Sequence, residues 1–295
     1  MIPCVDVDTI PVGSLTMQPF GVMMSVSIAF GWWLMSRRAK TLRLDQHEFL
    51  MLRLWSLFLG LFLSHALDEA FYHPELIADR PSSLLLIWQG LSSMGGIAGA
   101  VLGAFIWSRV RISRRGVPSI RSSPEPLLPV ADVIAPCFVV AWTIGRLGCA
   151  IVHDHVSARV PLGTPLAVAF PAPGDVPAFV WGPLRVTFGT APRYDLGLLE
   201  LFFTLILAAA ILATWRRRLP VGTYVVVTSL AYAPVRFALD RLRERDAVTS
   251  DLRWGSLTFA QWSCLALFAF GVAVAMSIRA TGAALRQPDR QAAAS

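Results

Sequence analysis

Charge is scarce in this chain: Asp, Glu, Lys and Arg together make up 15% of its 295 residues, where soluble globular domains carry about a quarter. That scarcity excludes an ordinary soluble domain, and a mean hydropathy of +0.58 agrees. Cysteine is scarce too. The four present, Cys4, Cys137, Cys149 and Cys264, show no Cys-x-x-Cys or paired spacing, so neither a disulfide framework nor a zinc knuckle is indicated. No basic stretch precedes the first apolar run, which continues into Arg37, Arg38 and Lys40 rather than into small residues. It reads as a retained helix, not a cleaved leader. There is no fixed-period repeat and no inverted duplication, which counts against a secondary transporter. The formal net charge of +7 does not indicate a nucleic-acid partner, because the arginines sit beside the ends of apolar runs, where basic residues fix membrane topology.

What is abundant is apolar sequence, 55% of the chain, in long runs separated by short charged loops. Seven runs qualify as spans: Met17 to Met35, Phe49 to Ala70, Leu84 to Trp107, Val130 to Val152, Leu196 to Trp215, Val221 to Leu239 and Phe259 to Ile278. Each is long enough for a hydrocarbon core of roughly 30 Å. Strongly basic loops from Arg37 to Arg43, Arg109 to Arg121 and Arg216 to Arg218 follow the first, third and fifth runs, so those ends are expected on the cytoplasmic side. The alternate ends carry Asp6 and Asp8, then Asp68, Glu69, Glu75 and Asp79, then the stretch from His153 to Asp195. The predicted fold class is an all-α polytopic membrane protein with about seven transmembrane helices, N-terminus outside and C-terminus cytoplasmic. Residues 1–280 are expected to form a single transmembrane domain. Within it residues 157–193, rich in Pro and Gly and holding a β-like run from Phe179 to Phe188, are expected to form a small extracytoplasmic cap. Residues 281–295 read as a flexible cytoplasmic tail.

Charged groups within apolar spans are costly and mark candidate sites. Arg146, between Gly145 and Gly148 in the fourth run, either pairs with a neighbouring helix or serves as a cation for a ligand. Arg236 and Asp240, one helical turn apart, can pair with each other. Alternatively Arg236 joins Arg146, two guanidinium forks being suited to a phosphorylated ligand. Four of the five histidines, His65, His73, His153 and His155, fall at predicted outer helix ends beside Asp68, Glu69 and Asp154. Such groups can transfer protons or cap helix ends, and His153-Asp154-His155 with His65, Asp68 or Glu69 can hold a metal. The run from Gly90 to Gly96, followed by Gly99 and Gly103, permits either close helix packing or unwound backbone whose amides bind an anion.

Several of these stretches, in this order, resemble motifs of the prolipoprotein diacylglyceryl transferases: Trp88 to Gly96, Asp132 to Pro136, Gly145-Arg-Leu-Gly148, Leu198-Leu-Glu200, Arg236-Phe-Ala-Leu-Asp-Arg-Leu-Arg243 and Thr258-x-x-Gln261. The departures are Met94, where that family carries a histidine before Gly-Gly, and Cys149 and Val152, where it carries asparagines. Asp154 stands nearest its glutamate, and His65 takes the place of a basic residue at the outer end of the second span. The resemblance implies transfer of the diacylglyceryl group of phosphatidylglycerol to the thiol of a lipobox cysteine in a secreted prolipoprotein. It also implies release of glycerol phosphate, a site facing the outer leaflet of the bacterial inner membrane, and no metal or organic cofactor. Arg146 and Arg236 would receive the phosphate, with Arg243, His65, Glu200, Gly95 and Gly96 around the substrates. Since Met94 cannot exchange a proton, the base is expected to be His153, oriented by Asp154 or assisted by His155. The catalytic set is then His153, Asp154, His155 and Arg146. The alternatives are a non-catalytic lipid- or peptide-binding relative, an anion transporter or channel, and an intramembrane metalloenzyme.

Overall fold

The computed structural model describes residues 1–13, 15–72, 77, 79–85, 90, 92–217, 219–243 and 253–280. His73, Glu75, Trp88 and the tail 281–295 lie outside the described residues, as does the side chain of Met94. The described residues include seven long helices: α1 (Pro19–Thr41), α2 (Gln46–Tyr72), α3 (Ser93–Arg109), α4 (Leu127–Val152), α5 (Leu196–Thr214), α6 (Thr223–Arg241) and α7 (Phe259–Ala280). Five of them, all but α3 and α6, are long and apolar enough to cross a membrane. Helix α3 has 17 residues, and α6 carries Arg236 and Asp240 in its interior. The bundle's outward faces are apolar: Phe58 is 63% exposed, Val101 63%, Ile206 70% and Met276 65%. A surface of that kind is solvated by lipid and would aggregate in water. The fold is that of a polytopic helical membrane protein.

Local chemistry sets the helix limits. Pro19 starts α1, where its missing amide costs nothing, and Arg38 and Lys40 stand in its last turn, where positive charge suits the helix dipole. The third helix begins later than the apolar run from Leu84, because Pro81–Leu85 forms a 3-10 turn and Gly90 adopts a left-handed φ of 60°. Ser92 then caps α3. Asp195 caps α5, its carboxylate accepting the Leu198 amide at 3.0 Å. Asp132, near the start of α4, accepts the amides of Tyr224 at 2.7 Å and Val225 at 3.2 Å. It therefore satisfies the first turn of α6 from a different helix.

The helices pack as antiparallel pairs. A Cβ placed on Gly95 would come within 2.5 Å of the Leu63 carbonyl oxygen, and one on Gly103 within 2.5 Å of that of Trp55. Glycine at these positions lets α3 lie directly on the backbone of α2. Helix α1 runs against α4, where Ser27 donates to the Ala141 carbonyl at 2.6 Å, and α6 against α7, where Gly271 faces Ser229. Helix α4 also touches α5 and α6 and is the hub of the bundle. At one end Arg38 stacks between Trp215, 4.6 Å away, and Tyr224, 5.0 Å away, near the basic loops.

The opposite end carries a β cap, which corrects the all-α expectation. Twelve short strands occur among the described residues: β1 (Ile2–Val7), β2 (Ile10–Val12), β3 (Leu15–Met17), β4 (Val110–Ile112), β5 (Pro118–Ile120), β6 (Val156–Arg159), β7 (Val168–Phe170), β8 (Phe179–Trp181), β9 (Leu184–Thr187), β10 (Ala191–Asp195), β11 (Arg253–Trp254) and β12 (Leu257–Thr258). Six of them form one sheet in the order β6-β10-β7-β1-β9-β8. Its centre is the N-terminal strand, parallel to β7 and antiparallel to β9. The sheet therefore includes residues far upstream of 157–193, joined by pairings that no local pattern announces.

Candidate active site between the arginines and the cap loop

The functional site is built on the cap-facing ends of α4, α5 and α6. Tyr232, Arg236 and Asp240 recur at intervals of four residues along α6, so they line one face. Glu200 on α5 sits against that face and also against Arg146 of α4. Its Oε1 is 2.9 Å from Arg146 Nε and its Oε2 is 3.1 Å from Arg236 Nη1. Tyr232 donates its hydroxyl to Oε1 at 2.5 Å. Arg146 Nε meets Glu200 by proximity, without a straight hydrogen bond. Its Nη1 donates to Cys149 Sγ at 3.5 Å, and its guanidinium lies over the Trp142 ring at 4.5 Å. All four ionised groups are buried.

The two bland sequence readings of these arginines are both realised, with a change of partner. Arg146 does pair with a neighbouring helix. Arg236 does approach Asp240, at 3.7 Å, but its nearer carboxylate is Glu200, while Asp240 accepts a hydrogen bond from Thr258. Two guanidiniums and two carboxylates balance, which is the condition under which charges persist away from water. Gln261 closes the group from α7, its Oε1 accepting the Thr258 amide at 3.1 Å.

Above the cluster runs the loop that follows α4. His155 Nδ1 lies 2.7 Å from the Asp154 carbonyl oxygen. That oxygen only accepts, so Nδ1 carries a proton, while Nε2 lies 3.5 Å from Asp154 Oδ2. Burial pushes the His155 imidazole below its ordinary value; Asp154 opposes the shift, and the positive charges of Arg243 and Arg236 add to it. Arg243 joins the loop through a β-bridge to Ser157.

His153 is placed differently from the expectation. Its orienting carboxylate is Asp195, 2.6 Å from Nδ1, and not Asp154. Its Nε2 faces Cys4 Sγ at 3.2 Å. Both ring nitrogens are thus engaged within the cap. Cys4, His153 and Asp195 lie in line rather than around a point, and among the described residues no group of three or more metal-ligating side chains converges.

His65 is also apart from the arginines in its described contacts. It is fully buried, with Nε2 3.0 Å from the Ser83 carbonyl oxygen and Nδ1 3.3 Å from that of Gly90. Glu69, 3.5 Å away, accepts the Ser83 hydroxyl at 2.6 Å. This group fastens the 3-10 turn to α2. The amides of Gly95 and Gly96 are already directed at Ser92, the first to its hydroxyl at 3.4 Å and the second to its carbonyl at 2.9 Å. The close-packing alternative describes these glycines, and the anion-cradle alternative does not. Sequence reasoning missed Tyr232 and Asp195. A tyrosine one turn before Arg236 was a visible signal for the first; for the second, only the N-cap pattern before α5 was visible.

Comparison with known proteins places this geometry. The model of the family described as prolipoprotein diacylglyceryl transferase matches residues 8–277. A phosphatidylglycerol–prolipoprotein diacylglyceryl transferase of Nitratidesulfovibrio vulgaris is 29% identical over 287 residues, covering 96% of each chain. Proteins of the same name from Proteus mirabilis, 27% identical over 256 residues and 83% of each chain, and from Cronobacter sakazakii, 29% identical over 246 residues and 80% of each, are also similar.

Proposed function

The chain belongs to the prolipoprotein diacylglyceryl transferase family, and from that premise we propose that it transfers the diacylglyceryl group of phosphatidylglycerol to the thiol of a lipobox cysteine in a secreted prolipoprotein. A thioether forms and glycerol phosphate leaves. The observation that carries this reading is the buried Arg146–Glu200–Arg236 cluster beneath the loop that holds His155.

The chemistry makes two demands. The acceptor thiol, with a pKa near ~8.5, must lose its proton as sulfur attacks the glycerol carbon, and the departing phosphate must be stabilised as its bridging oxygen takes charge. Glu200 holds Arg146 and Arg236 in fixed relation before the substrate arrives, so the positive groups need not reorganise when negative charge develops. Arg243, bridged to Ser157, adds a cation at the mouth. His155 takes the thiol proton. Burial, together with the positive charges of Arg243 and Arg236, holds its basicity below the ordinary value, which favours the unprotonated state that a base requires.

In this reading all seven helices cross the inner membrane, the basic loops are cytoplasmic and the cap stands at the outer leaflet. Support comes from the antiparallel pairing of the helices and from the separation of the basic loops from the cap. Single cysteines introduced at Ser119 and Thr164 test the orientation. An impermeant thiol reagent added from outside should reach the second and not the first; the reverse pattern would invert the topology.

The activity itself is tested with purified protein in micelles containing phosphatidylglycerol and a lipobox peptide. The peptide is expected to gain one diacylglyceryl group as glycerol phosphate is released, and a peptide with Ser in place of Cys should gain nothing. Phospholipid binding without any product would instead identify a lipid-binding relative.

A further inference from the structure

Cys137, Cys149 and Cys264 lie within helices α4 and α7. Cys137 donates its thiol to the Val133 carbonyl at 3.4 Å, an ordinary buried contact, and Cys149 accepts from Arg146. Cys4 differs. It sits in the middle of the cap sheet, 3% exposed, and among the described residues it is the cysteine whose sulfur faces an imidazole, His153 Nε2 at 3.2 Å. It also lies upstream of residues 8–277, the part matched by the family.

The groups behind the sulfur are held firmly. Asp195 Oδ2, 2.6 Å from His153 Nδ1, accepts that nitrogen's proton, which turns the other ring nitrogen to the thiol. Asp195 cannot rotate away, because its Oδ1 accepts the Leu198 amide at 3.0 Å. The imidazole is braced edge-on by Phe170, 4.9 Å between centroids. His153 ends α4 in a left-handed conformation, φ 51° and ψ 43°, which a non-glycine residue adopts at a cost of about 1–2 kcal/mol. The contacts with Asp195 and Cys4 oppose that cost. Burial by itself would push the His153 imidazolium down, but its hydrogen bonds to Asp195 and Cys4 carry it up to about 10, so the ring readily holds a second proton. A thiol, a base and an orienting carboxylate thus come together from β1, the end of α4 and β10. That is the order of groups that activates a cysteine nucleophile.

We propose that Cys4 is an activated thiol and a modification site for small hydroperoxides. Sulfur attacks the distal peroxide oxygen, forming an S–O bond as the O–O bond breaks. Two electrons pass from sulfur to the peroxide, Cys4 becomes a sulfenic acid, and the imidazolium of His153 returns the thiol's proton to the departing oxygen, giving water or an alcohol. The class of reactant is limited by access: Cys4 is 3% exposed and the His153 side chain beside it 14% exposed, which excludes a bulky acyl group and leaves small hydroperoxides as the reactants. This site is independent of the transfer reaction proposed above.

The experiment treats the full-length protein in micelles with limiting hydrogen peroxide, traps sulfenic acid with dimedone and measures the labelling rate of each cysteine by mass spectrometry. Cys4 is expected to react at least about tenfold faster than the other three. In His153→Ala the rate at Cys4 should fall by about tenfold or more, because the imidazolium that favours the thiolate and protonates the departing oxygen is lost. The direction of the change is diagnostic. If burial alone governed reactivity, removing the ring would open the site and speed labelling, and that result would overturn the proposal. So would a wild-type Cys4 no faster than Cys137, Cys149 and Cys264. Asp195→Asn, which keeps the ring and leaves Nδ1 without an anionic partner, should show an intermediate rate; a rate equal to wild type would likewise sink the idea.

Discussion

Glu200→Gln is expected to lower the stability of the protein by about 3–5 kcal/mol. The carboxylate is fully buried and is shared by Arg146 at 2.9 Å and Arg236 at 3.1 Å. Glutamine has nearly the same shape, so no cavity is created. What changes is charge: two buried guanidiniums remain with Asp240, 3.7 Å from Arg236, as their only nearby carboxylate in the cluster. Leaving a buried charge uncompensated is far more costly than the pair is stabilising, since the lost partner cannot be replaced by water. Denaturant unfolding in mixed micelles measures the loss. A change below about 1 kcal/mol, the scale of an exposed ion pair, would mean that water or lipid headgroups screen the cluster, and its rigidity could not then support the mechanism given above.

The second large effect concerns the proton. His155→Ala is expected to reduce turnover by about 10²- to 10⁴-fold, the usual contribution of a positioned base, while phosphatidylglycerol binding persists. The pH dependence has a definite sign. Because burial and the nearby Arg243 and Arg236 hold His155 below its ordinary value, the neutral, active form survives as pH falls through about 6.5, where an unperturbed imidazole becomes charged. Wild-type turnover should therefore remain level there and fall only at lower pH. In His155→Ala turnover should climb as pH rises toward ~8.5, where the acceptor thiol ionises without help. The comparison with His153→Ala assigns the base. Loss of more turnover from that variant than from His155→Ala would return the role to His153, in spite of the partners that occupy both of its ring nitrogens.

Much of the architecture was legible because the bilayer imposes a simple rule. Backbone in hydrocarbon must satisfy its own hydrogen bonds, so an apolar run of sufficient length is a helix almost regardless of its neighbours. Each of the seven runs overlaps one of the long helices among the described residues, and the largest shift of a limit, the late start of α3, falls where the turn at Pro81–Leu85 and Gly90 intervene. Arg146 and Arg236 could be singled out for a related reason: a charge inside such a run is costly and stands out against its surroundings. Glu200 was marked only by the family resemblance of Leu198-Leu-Glu200.

What the sequence by itself determined is therefore the helical membrane bundle, the charge asymmetry of its loops and the presence of buried ionisable residues that need partners. Which partner each one meets was decided only by the tertiary structure. Glu200 takes both arginines because α4, α5 and α6 converge at its height. Asp195 rather than Asp154 takes His153, because His153 ends α4 in a left-handed turn that carries its ring toward the start of α5. Cys4 reaches that ring across 149 residues of chain, because the first strand is inserted between β7 and β9. Hydrophobic burial is non-directional and is written along the chain as composition and period. Pairing of charges, thiols and strand edges depends on direction and on distance in space, so it becomes defined only when the chain has folded.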